Sequence, residues 1–144
     1  MTAPARGKAT SRSKSRLQAK RVYAPAADND GFRVLVDRLW PRGLTKEKAR
    51  VDLWLKDVAP SDTLRRHFHG QPQKWNEFVA AYDRELGQEP AESAVAALRE
   101  HAAHGPVTLL YAARDETHNN AIALKDWLER RRAPRIKLRA AGKI

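Results

Sequence analysis

Two short clusters of acid and base hold the residue types and spacing in this 144-residue chain that could do chemistry. One is Asp37-Arg38-Leu39-Trp40-Pro41-Arg42-Gly43, and the other is Arg114-Asp115-Glu116-Thr117-His118-Asn119-Asn120. Arginine forks bind carboxylate or phosphate through paired hydrogen bonds, and a carboxylate held by arginines stays ionised as a base or positioning group. Arg38, Arg42 and Arg114 are therefore candidates to grip an anion, with Asp37 or Asp115 orienting them or serving as base. His118 is placed to shuttle a proton. Trp40, beside Pro41 and Gly43, can wall a pocket or plug the core. The alternative for the whole constellation is an ion-pair network that ties loops together, because buried charges must be paired whether or not there is activity.

The elements that must position these clusters are two apolar runs. Phe32 to Arg38 contains Val34-Leu35-Val36, and Val107 to Ala113 contains Leu109-Leu110-Tyr111. Consecutive apolar residues point to strands covered on both faces, as in the centre of a parallel sheet. Each cluster follows the carboxyl end of such a strand, where open α/β sheets bind ligands. A third strand is expected at Lys20–Ala24, ended by Pro25. The seven-residue stretch Pro25–Gly31 allows it to pair with its successor either parallel or antiparallel.

Helices are expected between and after the two buried strands. Ser61 can cap a short one in which Leu64 and Phe68 share a face. After Pro72, the residues Trp75, Phe78, Val79, Tyr82 and Leu86 form a continuous stripe closed by Gly87. Pro90 opens another helix with Val95, Leu98 and Ala102, and Gly105 ends it. The last starts near His118 or Asn119 and turns Ala121, Leu124 and Leu128 inward, with an exposed Asp126–Arg130 pair. Its first backbone N–H groups would favour an anion at the same edge. The pattern is α/β: a small layered domain with a short, mainly parallel central sheet flanked by helices.

The net charge of +11 sits at the ends. Residues 1–21 hold seven Lys/Arg and no acid, residues 129–144 carry a net +6, and residues 22–128 carry −2. The expected organisation is a flexible basic arm (1–19), an α/β domain (20–132) and a basic tail (133–144). Such arms can bind nucleic acid weakly, through phosphates and without sequence preference. Neither arm carries aromatics for base stacking, and a merely solubilising role is the plainer reading. The chain has no cysteine, which excludes disulfides, thiol nucleophiles and thiolate metal sites. No apolar run approaches the roughly 20 residues of a membrane span, and no apolar segment suggests a secretory signal. A cytoplasmic protein without cofactor is expected. The pairs His67/His69 and His101/His104 lack an evident carboxylate partner for a metal, and no phosphate-binding loop or nucleophile elbow occurs.

Several blocks occur in order: Arg21-Val-Tyr23, Gly31 to Gly43, Trp54-Leu-Lys-Asp-Val-Ala-Pro-Ser61, Leu64-Arg65 with Phe68, and Thr108 to Asp115 with Asn119 and Ala121. Together, over about residues 20–130, they resemble the DUF488 family in its YeaO-like bacterial branch. The resemblance implies an α/β fold in a bacterial, cytoplasmic setting and transfers no reaction. It marks Asp37, Arg38, Trp40, Arg42, Arg114, Asp115 and Asn119 as matching the family's recurrent motifs, adding Asn119 to the ligand-binding candidates. Larger members carry a helix between the first two strands, where this chain has only Pro25–Gly31. The expected function is binding of a small anionic ligand at the strand ends, with acid–base catalysis as an extension. A nucleic-acid accessory role through the arms and a purely structural module are the alternatives.

Overall fold

Runs such as Val34-Leu35-Val36 need apolar cover on both sides, and a computed structural model describing residues 17–130 has that arrangement. Strands β1 (Leu17–Arg21), β2 (Phe32–Leu35), β3 (Leu53–Trp54) and β4 (Val107–Tyr111) form one sheet in the order β1-β4-β2-β3. Every pairing is parallel, with Val107 of β4 opposite Leu17 of β1 and Phe32 of β2. β1 and β2 therefore do not form a hairpin; they flank β4. The first strand also begins earlier than expected, so Leu17–Ala19 belong to the sheet rather than to the N-terminal arm. Its alternation is the reason it reads as polar. Leu17 and Ala19 pack on the core, while Gln18 and Lys20 turn to the other face and hydrogen-bond there. The rest of the basic arm and the C-terminal tail lie outside the described residues.

Among the described residues, five α-helices accompany the strands: α1 (Lys46–Ala49), α2 (Asp62–Phe68), α3 (Trp75–Leu86), α4 (Ala91–His104) and α5 (Asn120–Arg130). Single 3-10 turns lie at Asp28–Asp30, Lys56–Val58 and Pro72–Lys74. Ser61 caps α2 as expected, its hydroxyl accepting the Leu64 N–H at 3.1 Å, and Glu85 holds that hydroxyl at 2.7 Å. Gly105 ends α4 in extended backbone rather than in a left-handed turn. α1 and β3 carry no periodic signal, being only four and two residues long.

Alternation along the strands sorts the two faces. Val34, Val36, Val107, Leu109 and Tyr111 meet Phe78, Tyr82, Leu86, Leu98 and Leu124 of the long helices. Each large side chain buried there contributes roughly 1.5–3 kcal/mol. Leu35 and Leu110 face the opposite way, under Val22, Ala49 and the half-buried Trp40, Leu44 and Trp54. That second layer is thin, and polar groups anchor it. Arg33 donates from Nε to the Arg50 carbonyl and from a terminal nitrogen to the Ala49 carbonyl, both at 2.8 Å. The C-terminus of α1, whose last carbonyls have no helical partners, is thus fastened to β2. Asp30 neutralises Arg33 and also accepts Lys20 Nζ at 3.0 Å. Burial works to raise the Asp30 carboxyl, but the Ala27 N–H, Lys20 and Arg33 outweigh it and hold it below the usual value.

β2 leads outward to β3, whereas β4 leads to α5, which packs on β1 and β4. Connections that leave neighbouring strands in opposite directions open a crevice at their carboxyl ends. Among the described residues, no helix is long and apolar enough to cross a membrane.

Two substitutions test this frame. Asp30→Ala leaves the Arg33 guanidinium buried without its carboxylate and is expected to cost about 3–5 kcal/mol. Gly31→Ala meets two obstacles, a φ of +68° and a Cβ that would stand 2.3 Å from the Pro106 carbonyl oxygen, and is expected to cost more than about 2 kcal/mol. Urea unfolding beside Asp28→Ala as an exposed control measures both; values within 0.5 kcal/mol of that control would contradict this account.

Candidate functional site

The crevice is a cleft of about 700 Å³ bordered by the loops after β2 and β4, the C-terminal end of α2 and the adjoining turn. All eight residues singled out from the sequence border it: Asp37, Arg38, Trp40, Arg42, Arg114, Asp115, His118 and Asn119. Their side chains divide into those held by the protein and those left free.

Asp37 is the most firmly held. Its Oδ2 accepts the Ala112 N–H at 2.9 Å and its Oδ1 accepts the Asn120 amide at 3.1 Å. The same Asn120 amide donates to the Val36 carbonyl at 2.9 Å, and Trp54 Nε1 donates to the Asp37 carbonyl at 2.8 Å. One aspartate thus joins the ends of β2 and β4 to the first residue of α5. Burial pushes its carboxyl above the usual value, while the Ala112 N–H, Asn120 and the Arg65 charge pull in the other direction.

Asp115 is exposed and shaped by its own loop. Its Oδ1 accepts from the Thr117 N–H at 2.9 Å, the Thr117 hydroxyl at 3.0 Å and the His118 N–H at 3.0 Å. The Thr117 N–H, followed by the His118 N–H and the Thr117 hydroxyl, holds this carboxyl down at about 2. His118 Nδ1 lies 3.5 Å from Asp115 Oδ2, and its ring meets Trp75 edge-on at 4.9 Å. Asn119 is buried as the cap of α5: its Oδ1 accepts the Ile122 N–H at 2.9 Å and its amide donates to the Asp115 carbonyl at 2.8 Å.

The three arginines differ. Arg38 donates to the Pro60 and Ala59 carbonyls at 3.3 Å and lies 3.9 Å from Asp62. The guanidinium groups of Arg42 and Arg114 have no hydrogen-bond or ion-pair partner among the described residues, and both residues are exposed at the cleft rim. Arg42 is placed by its own backbone, whose carbonyl accepts the Tyr23 hydroxyl at 2.7 Å. Trp40 lines the cleft while its indole N–H donates to the Leu44 carbonyl at 2.6 Å and its ring meets Trp54 at 5.4 Å. It is both wall and plug.

Sequence reasoning missed three contributors. Arg65, Phe68 and Phe78 reach the cleft from α2 and α3, and their periodicity showed only which residues turn inward from those helices. Asn120 stood inside a quoted motif, but its bond to Asp37 joins residues 83 positions apart and leaves no local signal. Of the other histidines, His69 also borders the cleft, whereas His67 Nε2 lies 3.8 Å from Glu77, His101 stacks on Phe32 at 4.1 Å and His104 Nδ1 lies 2.8 Å from the Glu100 carbonyl oxygen. Among the described residues, no three or more His, Asp or Glu side chains gather in a metal-binding group.

Comparison with known proteins adds a lineage. A family model described as "Inactive DUF488-N3 subclade" matches residues 16–140. The chain is 46% identical over 112 residues to "Uncharacterized protein YeaO" of Escherichia coli (strain K12), which covers 78% of this chain and 96% of that relative. It is 40% identical over 117 residues to "Uncharacterized protein Rv3073c" of Mycobacterium tuberculosis (strain ATCC 25618 / H37Rv), covering 81% and 97%. No solved structure matches.

The two cleft carboxylates are expected to titrate on opposite sides of the ordinary aspartate value of 3.8. A lowered folded-state value means that the Asp115 contribution is complete above 3.8 and disappears as the pH falls through about 2. Asp115→Ala should therefore lose less stability than the parent protein across that interval. Asp37 has the opposite sign, since its raised value makes protonation favour the folded state. Carboxyl carbon NMR should place the Asp37 midpoint above 3.8 and that of Asp115 near 2; coincident midpoints would contradict the assignment.

Proposed function

The chain belongs to the DUF488 family, and from that premise we propose that it binds a small anionic ligand in the cleft at the strand ends, without turning it over. The observation that carries this reading is the contrast between Arg42 and Arg114, unpartnered among the described residues, and the neighbouring acids, which are engaged in holding the fold. A guanidinium at a cleft rim offers a fork of donors matched to carboxylate or phosphate. Arg65 adds a third positive charge, and the first turn of α5 adds the positive end of a helix dipole. Arg38 shapes the floor through its bonds to Pro60 and Ala59.

The chemistry of the acids supports binding over catalysis. A carboxyl held near 2 is too weak a base to take a proton efficiently at neutral pH, which counts against Asp115 as general base. Both Asp37 oxygens already accept structural hydrogen bonds, and shifting them would loosen the joint between β2, β4 and α5. His118 faces Asp115 and Trp75 and belongs to the wall. The word "Inactive" in the description of the matching family model agrees with this reading. The ligand site and a cytoplasmic setting are parts of the same proposal.

NMR titration of the protein with inorganic phosphate, pyrophosphate and citrate tests it. Amide shifts should gather on residues 38–42 and 112–120. Arg42→Ala and Arg114→Ala should each weaken binding about 10- to 100-fold, the equivalent of a charge-assisted hydrogen bond of about 1.5–3 kcal/mol, with melting temperature unchanged. An absence of shifts there, or chemical turnover of a probe, would overturn the proposal.

A further inference from the structure

The geometry points to a more specific ligand for this cleft, an aryl or heteroaryl group carrying the anion, and this inference rests on the anion-binding reading above. A cleft of about 700 Å³ is far larger than an inorganic anion and falls within the roughly 300–1,000 Å³ of sites that enclose small organic molecules. An anion held by Arg42 and Arg114 alone would leave most of that space unfilled.

The remainder includes an aromatic and apolar stretch, set beside Arg65, His69 and Gln71. Phe68, at the end of α2, and Phe78, on α3, lie with ring centroids 4.7 Å apart and planes tilted by 32°. Trp75 packs against both, at 5.6 Å from Phe68 and 5.5 Å from Phe78. Both border the cleft, Phe78 as a buried core residue and Phe68 as a half-buried one. Pro60 and Pro72 extend the same apolar lining. The Phe68 ring is thus held in contact with two other rings. A planar group stacking on it would order little that is not already ordered, which is the condition under which aromatic contact adds most to affinity. An apolar aromatic wall with free guanidinium groups on the rim suits a ligand that has a flat apolar body and a charged end.

Calorimetric titration of the full chain with inorganic phosphate, phenyl phosphate and adenosine monophosphate reads this out. Stacking that buries about 60 Å² of ring surface should make phenyl phosphate bind roughly tenfold more tightly than phosphate. Phe68→Leu, which keeps the apolar packing against Trp75 and Phe78, should erase that gain while phosphate binding stays unchanged; Phe68→Ala should do the same if it folds. Arg114→Ala should weaken all three probes together. Tighter binding of adenosine monophosphate than of phenyl phosphate would assign the flat body to a nucleobase, and the reverse order to a simple aryl group; either supports the inference. Phosphate and phenyl phosphate binding equally, or a Phe68→Leu protein that keeps the gain, overturns the aromatic ligand and leaves the anion site standing. Failure of every probe to bind overturns both.

Discussion

The hydrogen bonds of one carboxylate hold the working end of this fold together. Parallel strands are joined along their length by backbone ladders, but at their carboxyl ends the chains diverge, and nothing in the sheet itself keeps those ends in register. Asp37 supplies that restraint by accepting from Ala112, just past β4, and from Asn120, which opens α5. Asn120 completes the closure by donating to the Val36 carbonyl. The cleft exists because β2 and β4 send their connections to opposite sides, and its shape persists because Asp37 bridges the gap between them.

A second buried charge performs a related task on the other face. The long helices cover one side of the sheet with a continuous apolar layer. Among the described residues, the other side has α1 and the loop around Trp40, Leu44 and Val51. Arg33 compensates by gripping the last carbonyls of α1, and Asp30 makes that burial tolerable by neutralising it. Leaving one partner of such a pair buried alone costs several kcal/mol, so the pair specifies where the short helix sits. The protein thus uses acidic and basic side chains as joints at both ends of β2, Asp30 and Arg33 at its start and Asp37 just past its end.

Charges engaged as joints are poorly placed for chemistry. Asp37, Asp115 and Arg38 all border the cleft, and each is already occupied in holding a loop or a strand end. Arg42 and Arg114 differ in being exposed and unpartnered among the described residues. On the proposed reading, fixed acids and free arginines favour recognition over proton transfer. That division fits the family description, in which the matching subclade is called inactive. One cluster thus holds hydrogen-bonded structural acids and exposed, unpartnered arginines side by side.

The sequence by itself determined the layered α/β class, the two central strands, the three long helices and the neighbourhood of the cleft, because each of these leaves a local mark. A run such as Val34-Leu35-Val36 requires cover on both faces wherever it lies, and the stripe from Trp75 to Leu86 requires a helix with one buried side. The rule that ligands meet parallel strands at their carboxyl ends then brought Asp37, Arg42 and Arg114 to one edge. Only the tertiary structure decided that β1 flanks β4 instead of pairing with β2, because the short stretch between them allows either arrangement and the bond from Gln18 to Thr108 joins residues 90 positions apart. Only the tertiary structure decided which charges were engaged and which free. Hydrogen-bond partners such as Asp37 and Asn120 are set by packing between distant segments, and the spacing of residues along a chain carries no record of it.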